Sequence, residues 1–210
     1  MNTNQNTQAM RAYEALADDE LILNLGSQSW ATRHYSYMTL QARGQAMLDA
    51  ALRGLRHTNP VIRRYAADLM DHLGNDVCVP PLLELLNDPV PKVRRQAVHS
   101  LSCQRCKATP LSADMTDILI DKMLNDPNQR VRGEAAFGLY MLPLPANPAV
   151  ITAFERALAE CLAHPVDSKP YHSYLRFLRR TLTRMKRTSE SSPSSAAPMP
   201  LPRHSLPPVA

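Results

Sequence analysis

The chain has 210 residues, 44% hydrophobic and 5% aromatic, with one tryptophan and a formal charge of +5. That is enough apolar material for one elongated domain, and too little aromatic surface for a platform that reads bases by stacking. No stretch approaches the roughly 18 consecutive apolar residues of a membrane-spanning helix. The start, MNTNQNTQAM, has neither a basic n-region nor an apolar h-region, so Cys78, Cys103, Cys106 and Cys161 are expected to be reduced thiols of a cytoplasmic protein.

In chain order, one pattern occurs four times: an aliphatic residue or threonine, an arginine, a small residue three positions on, and a large apolar residue four beyond that. The copies are Thr32-Arg33, Ser36 and Leu40; Ile62-Arg63, Ala66 and Met70; Val93-Arg94, Ala97 and Leu101; Val131-Arg132, Ala135 and Leu139. Their first positions are 30, 31 and 38 residues apart, so seven extra residues sit in the third interval. Positions i, i+4 and i+8 share one helix face, which makes each copy a helix with a buried stripe and a small residue at its tightest contact. Turn signals precede three copies, at Asn59-Pro60, Asp88-Pro89 and Asp126-Pro127, so each copy is the second helix of a hairpin. The first helices are marked by Met47, Leu48, Leu52 and Leu55, by Leu82, Leu83, Leu85 and Leu86, and by Met115, Ile118, Leu119 and Met123, with Gly26 and Gly74 placed as C-terminal caps.

The segments LLELLNDPVPKVRRQAVHSL and MLNDPNQRVRGEAAFGLYML resemble HEAT-like repeats of the phycobilin-lyase type, over residues 18 to 142. The resemblance implies an all-α, right-handed α-solenoid of four to five helical hairpins, with repeats at about 10–41, 43–74, 76–106 and 114–142. It also implies that the turn aspartates and the arginines bond within and between neighbouring repeats, a structural ladder of Asp88, Asp126, Arg33, Arg63, Arg94 and Arg132. Two departures weaken that ladder: Asn59 replaces the aspartate before Arg63, and no Asp-Pro turn precedes Arg33.

A looser hairpin follows at 148–187, marked by Ile151, Phe154, Leu158 and Cys161 and then by Tyr171, Leu175, Leu178, Leu182 and Met185, and is expected to cap the array. Together these segments make a single domain over 1–187. Residues 188–210, rich in proline and serine, are expected to be a disordered tail.

Three features bear on function. Residues 171–187 hold six basic side chains and no acidic one, while the 18 basic and 19 acidic residues elsewhere nearly balance. Arg176, Arg180, Arg184 and Arg187 form a stripe there, joined by Arg179 and Lys186, that suits phosphate, an acidic protein or an anionic membrane surface, or merely a solvated cap helix. Arg64 and Arg95 flank the second-helix face as further candidate partner contacts. His99, Cys103 and Cys106 have spacing compatible with a soft metal, with a fourth ligand sought at Cys78, Asp114 or Asp117. The same cysteines could instead form a reactive CxxC pair beside Arg105 and Lys107, or be incidental residues at a helix end.

No GxGxxG, P-loop, GxSxG or HExxH motif is present, nor the His-Glu pairs that a deoxyhypusine hydroxylase would require. The expected function is therefore a non-enzymatic scaffold or adaptor for a protein partner, with no cofactor. Nucleic-acid binding through 171–187 and a metal- or thiol-dependent regulator are the alternatives.

Overall fold

The chain, a computed structural model, is described over residues 10–73, 76–103, 106–107, 110–142 and 147–191, with side chains through Thr188. After a helical turn at 10–14 come α1 (Asp18–Asn24), α2 (Trp30–Arg43), α3 (Leu48–Leu55), α4 (Pro60–Leu73) and α5 (Val79–Leu85). They are followed by α6 (Pro91–Ser102), α7 (Thr116–Asn125), α8 (Gln129–Met141), α9 (Pro148–Ala163) and α10 (Lys169–Ser191). Among the described residues there is no strand. Consecutive helices pair as hairpins, and α2, α4, α6, α8 and α10 pack in series as one layer over the odd-numbered helices.

The repeat pattern explains this layering. Ile62, Ala66 and Met70, then Val93, Ala97 and Leu101, then Val131, Ala135 and Leu139, are all buried, and the small residue of each copy sits at zero exposure. A methyl at that position lets neighbouring second helices approach closely. Gly138 is a tighter contact still, since a Cβ there would stand 2.6 Å from the Ser102 side chain. Proline at the first position of α4, α6 and α9 starts a helix where no intrahelical N–H is lost. Ser29, Asn128 and Asn147 cap α2, α8 and α9 by accepting from backbone N–H groups.

Gly26 does not act as a left-handed cap. It stands where a Cβ would meet Asn59 Nδ2 at 2.8 Å, so it is small because α4 passes close by. Among the described residues the one with positive φ is Gly44, at +54°, which ends α2. Gly74 lies outside the described residues. Helix α10 continues past Arg187 to Ser191, four residues into the expected tail, and the rest of that tail, 192–210, lies outside the described residues.

The arginine ladder is regular but differs from expectation in its register. Arg33, Arg63, Arg94 and Arg132 each donate to the carbonyl six residues earlier, on Ser27, His57, Asp88 and Asp126. Two of them also reach forward to the next repeat. Arg63 holds the Asp88 carboxylate at 2.6 and 3.1 Å, and Arg94 holds that of Asp126 at 2.8 and 2.9 Å. Each aspartate also caps its own turn, accepting from the N–H of Val90 or Asn128 at 2.8 Å.

Because the partner is the following turn, Asn59 deprives Arg33 of a carboxylate and leaves Arg63 intact. Arg132 meets Gln129 and no carboxylate among the described residues. The seven extra residues of the third interval fall in the segment after α6, where Leu111 and Met115 are buried and Ser112 bonds Asp76 through both its N–H and its hydroxyl.

Arg63→Ala and Arg94→Ala are expected to destabilise the chain by about 3 kcal/mol each in urea unfolding at pH 7, because each strands a buried carboxylate. Arg132→Ala should cost only about 1 kcal/mol. Burial raises the Asp126 carboxyl, but the Arg94 and Asn128 bonds outweigh it and hold the group below its usual range. The stabilisation from a depressed carboxyl is complete above the unfolded value and lost as pH falls through the folded one. The lead of the native chain over Arg94→Ala should therefore shrink as pH drops below about 4.

Ser36, the copy of the repeat that carries serine in place of alanine, buries its hydroxyl with no hydrogen-bond partner among the described residues. Ser36→Ala should raise stability by about 1 kcal/mol in the same measurement.

Candidate functional site

Two regions gather polar side chains beyond what the repeat needs. The first lies where the C-terminal ends of α4 and α6 meet the segment after α6. Asp71, in the last turn of α4, is 2% exposed. Its Oδ1 accepts from Lys107 Nζ at 2.8 Å, and that ammonium also donates to the Cys103 carbonyl at 2.6 Å. Its Oδ2 stands 3.5 Å from His99 Nε2, and His99 Nδ1 lies 2.9 Å from Glu134 Oε1 on α8. Cys103 ends α6, and its sulfur is in hydrogen-bond contact with that of Cys106 at 3.3 Å, with no disulfide between them.

The ligand atoms of Asp71, His99, Cys103 and Cys106 all lie within 4.8 Å of one another. The fourth member is thus Asp71. None of the three candidates proposed from sequence belongs to the cluster: Asp114 is committed to capping α7 through the Thr116 N–H and hydroxyl, Asp117 is exposed in the first turn of α7, and Cys78 is buried apart from it.

The electrostatics follow from the charges. Burial raises the Asp71 carboxyl, but bonds to His99 and Lys107 prevail and hold it low. Those to Asp71 and Glu134 push the His99 imidazole up to about 10. The Cys106 thiol is pushed up to about 12 by the Cys103 sulfur and by burial, and burial takes Cys78 to about 11. The thiol of Cys106 is therefore protonated at pH 7, and the neighbouring Lys107 ammonium is held by Asp71.

The second region is an open groove of about 920 Å³ between α8 and α10. Arg176, Arg179, Arg180, Arg184 and Arg187 line it together with Tyr140 and Phe177. Helix α10 presents them because its opposite face is buried through Tyr171, Tyr174, Leu178 and Leu182. Arg184 bonds the Tyr140 hydroxyl, with its guanidinium 5.4 Å from the ring centroid. Phe137, Tyr140 and Phe177 form an aromatic cluster with centroids 6.0 to 6.5 Å apart.

Contrary to the sequence reading, the basic helix does meet one counter-charge: Lys186 pairs with Glu155 of α9 at 2.6 Å. Arg95 reaches Glu134 at 3.6 Å, and Arg64 stacks on Tyr65 at 4.4 Å, so neither stands alone on the second-helix face.

Asp71, Glu134 and Tyr140 escaped the sequence reading. Asp71 and Tyr140 share one place in the repeat, nine residues after Ile62 and Val131, so aligning the copies one residue further would have put a carboxylate and a ring at the C-terminal ends of their helices. Glu134 carried no such signal.

A family model described as HEAT repeats matches residues 19–102 and, overlapping them, 48–139. No curated protein matches the chain.

Asp71→Asn alone should lower stability by about 3 kcal/mol, since it strands the buried Lys107 ammonium, and Lys107→Met by less, since His99 still faces Asp71 at 3.5 Å. The double variant should recover most of that loss, as read from urea unfolding of all four proteins in the presence of a chelator.

Proposed function

Because the chain belongs to the HEAT-repeat family, we propose that it is a non-enzymatic interaction scaffold that receives an acidic segment of a protein partner in the groove between α8 and α10. Five arginines around Tyr140 and Phe177 carry this reading. Guanidinium groups pair with carboxylates in two-point contacts, and the adjoining rings offer apolar area to the same segment. The second-helix face continues the surface through Arg95 and Arg64 toward the first repeat.

Nucleic acid is the second reading, favoured by the nearness of arginines to aromatic rings. Charge argues for protein. A phosphate backbone would extend beyond one helix onto a chain whose remaining charges nearly cancel, so the attraction is confined to α10. Among the described residues no helix is long and apolar enough to cross a membrane, and a cytoplasmic setting is part of the same proposal.

Fluorescence anisotropy with a glutamate-rich peptide and with a single-stranded oligonucleotide of equal charge separates the readings. Peptide binding that Arg176→Glu/Arg180→Glu weakens at least about tenfold is the expected result. Tighter oligonucleotide binding, with affinity falling steeply in salt, would transfer the function to nucleic acid.

A further inference from the structure

We propose that Asp71, His99, Cys103 and Cys106 bind one Zn²⁺ that fastens the segment after α6 to the ends of α4 and α6. The four side chains come from two parts of the chain, the last turn of α4 and residues 99–106, and their donor atoms converge within 4.8 Å. Tetrahedral zinc, with bonds of about 2.0 Å to nitrogen or oxygen and about 2.3 Å to sulfur, sets its ligands roughly 3.3 to 3.8 Å apart. The His99 Nε2 to Asp71 Oδ2 separation is 3.5 Å and the two sulfurs are 3.3 Å apart, so small side-chain adjustments complete the shell.

The surroundings are those of a metal centre. Glu134 takes the other imidazole nitrogen of His99 at 2.9 Å, which fixes the ring with Nε2 turned toward the cluster. Lys107 occupies only Oδ1 of Asp71, leaving Oδ2 for the ion. Two thiolates and one carboxylate against Zn²⁺ leave a net charge of −1, and the buried Lys107 ammonium at their edge neutralises it.

The ion pairs account for Asp71, His99, Lys107 and Glu134, and the two sulfurs, 3.3 Å apart, stand in the same cluster of donor atoms. Thiolate, imidazole and carboxylate together select zinc over magnesium or calcium, which take oxygen. Four protein ligands leave no open position, so the ion is structural. Binding is an exchange of metal for protons: both thiols and His99 give up a proton to solvent, and no electrons move. The site is separate from the groove on α10 and does not rest on the scaffold reading.

The test uses the full chain, kept reduced and stripped with chelator, titrated with Co²⁺ and then Zn²⁺. A thiolate-to-cobalt charge-transfer band and strong tetrahedral d–d bands saturating at one metal per chain, then bleached by zinc, are expected. Cys103→Ser/Cys106→Ser should lose the charge-transfer band while keeping its helical circular dichroism. Glu134→Gln should weaken zinc on the order of 10- to 100-fold, measured by competition with a chromogenic chelator. No stoichiometric uptake by the reduced native chain, or equal uptake by the double serine variant, overturns the site.

Discussion

The array depends on the forward reach of two arginines, Arg63 and Arg94, from one repeat to the next. A helical hairpin cannot bury both of its faces alone, so each repeat is stable only against its neighbour. Apolar stripes supply most of the attraction, but they are smooth along the helix axis and tolerate sliding. A guanidinium that grips its own turn carbonyl and the next turn's carboxylate fixes the register at one spacing. Arg63 with Asp88 and Arg94 with Asp126 do this at both junctions that involve α6. The exposed pairs Arg53 with Asp19 and Arg56 with Glu84 contribute little beside them.

That register is what places the polar cluster. His99 and Asp71 belong to different repeats, and Glu134 to a third, so their convergence is a product of stacking. With α4, α6 and α8 held in step, the C-terminal ends of α4 and α6 and the middle of α8 present a carboxylate, an imidazole and a second carboxylate within a few ångströms. The seven extra residues of the third interval then carry Cys106 and Lys107 across that end. An insertion of this kind disturbs a solenoid least where it folds back over a helix terminus, because the stack itself continues underneath through α8.

The helices and their buried stripes were legible because their period is local: Ile62, Ala66 and Met70 need no knowledge of any other repeat. The ladder arginines were legible as a motif, but their partners were not, because the direction of the reach, forward to the next turn, is a property of how hairpins stack. This is why Asn59 was charged to the wrong arginine. Asp71 looked like an ordinary polar residue after the stripe of α4, and only burial against Lys107 sets it apart. His99, Cys103 and Cys106 were visible because they fall within eight residues. The basic stripe on α10 was equally plain, whereas Tyr140, 44 positions from Arg184, was not.

The uneven ladder has a mechanical consequence. Among the described residues Arg33 and Arg132 hold no carboxylate, so the junctions at the two ends of the array rest on side-chain packing and exposed contacts such as Arg53 with Asp19 and Arg184 with Tyr140, while the two in the middle are riveted by buried ion pairs. Such a rod is stiff at its centre and compliant at both ends. The groove lies at the compliant end, between α8 and α10, where the last hairpin can swing by small rotations and set the width of the arginine-lined cleft to the thickness of whatever enters it. Fraying would likewise begin at the termini and halt at α4 and α6, so that the central repeats would be the last amides to exchange with solvent.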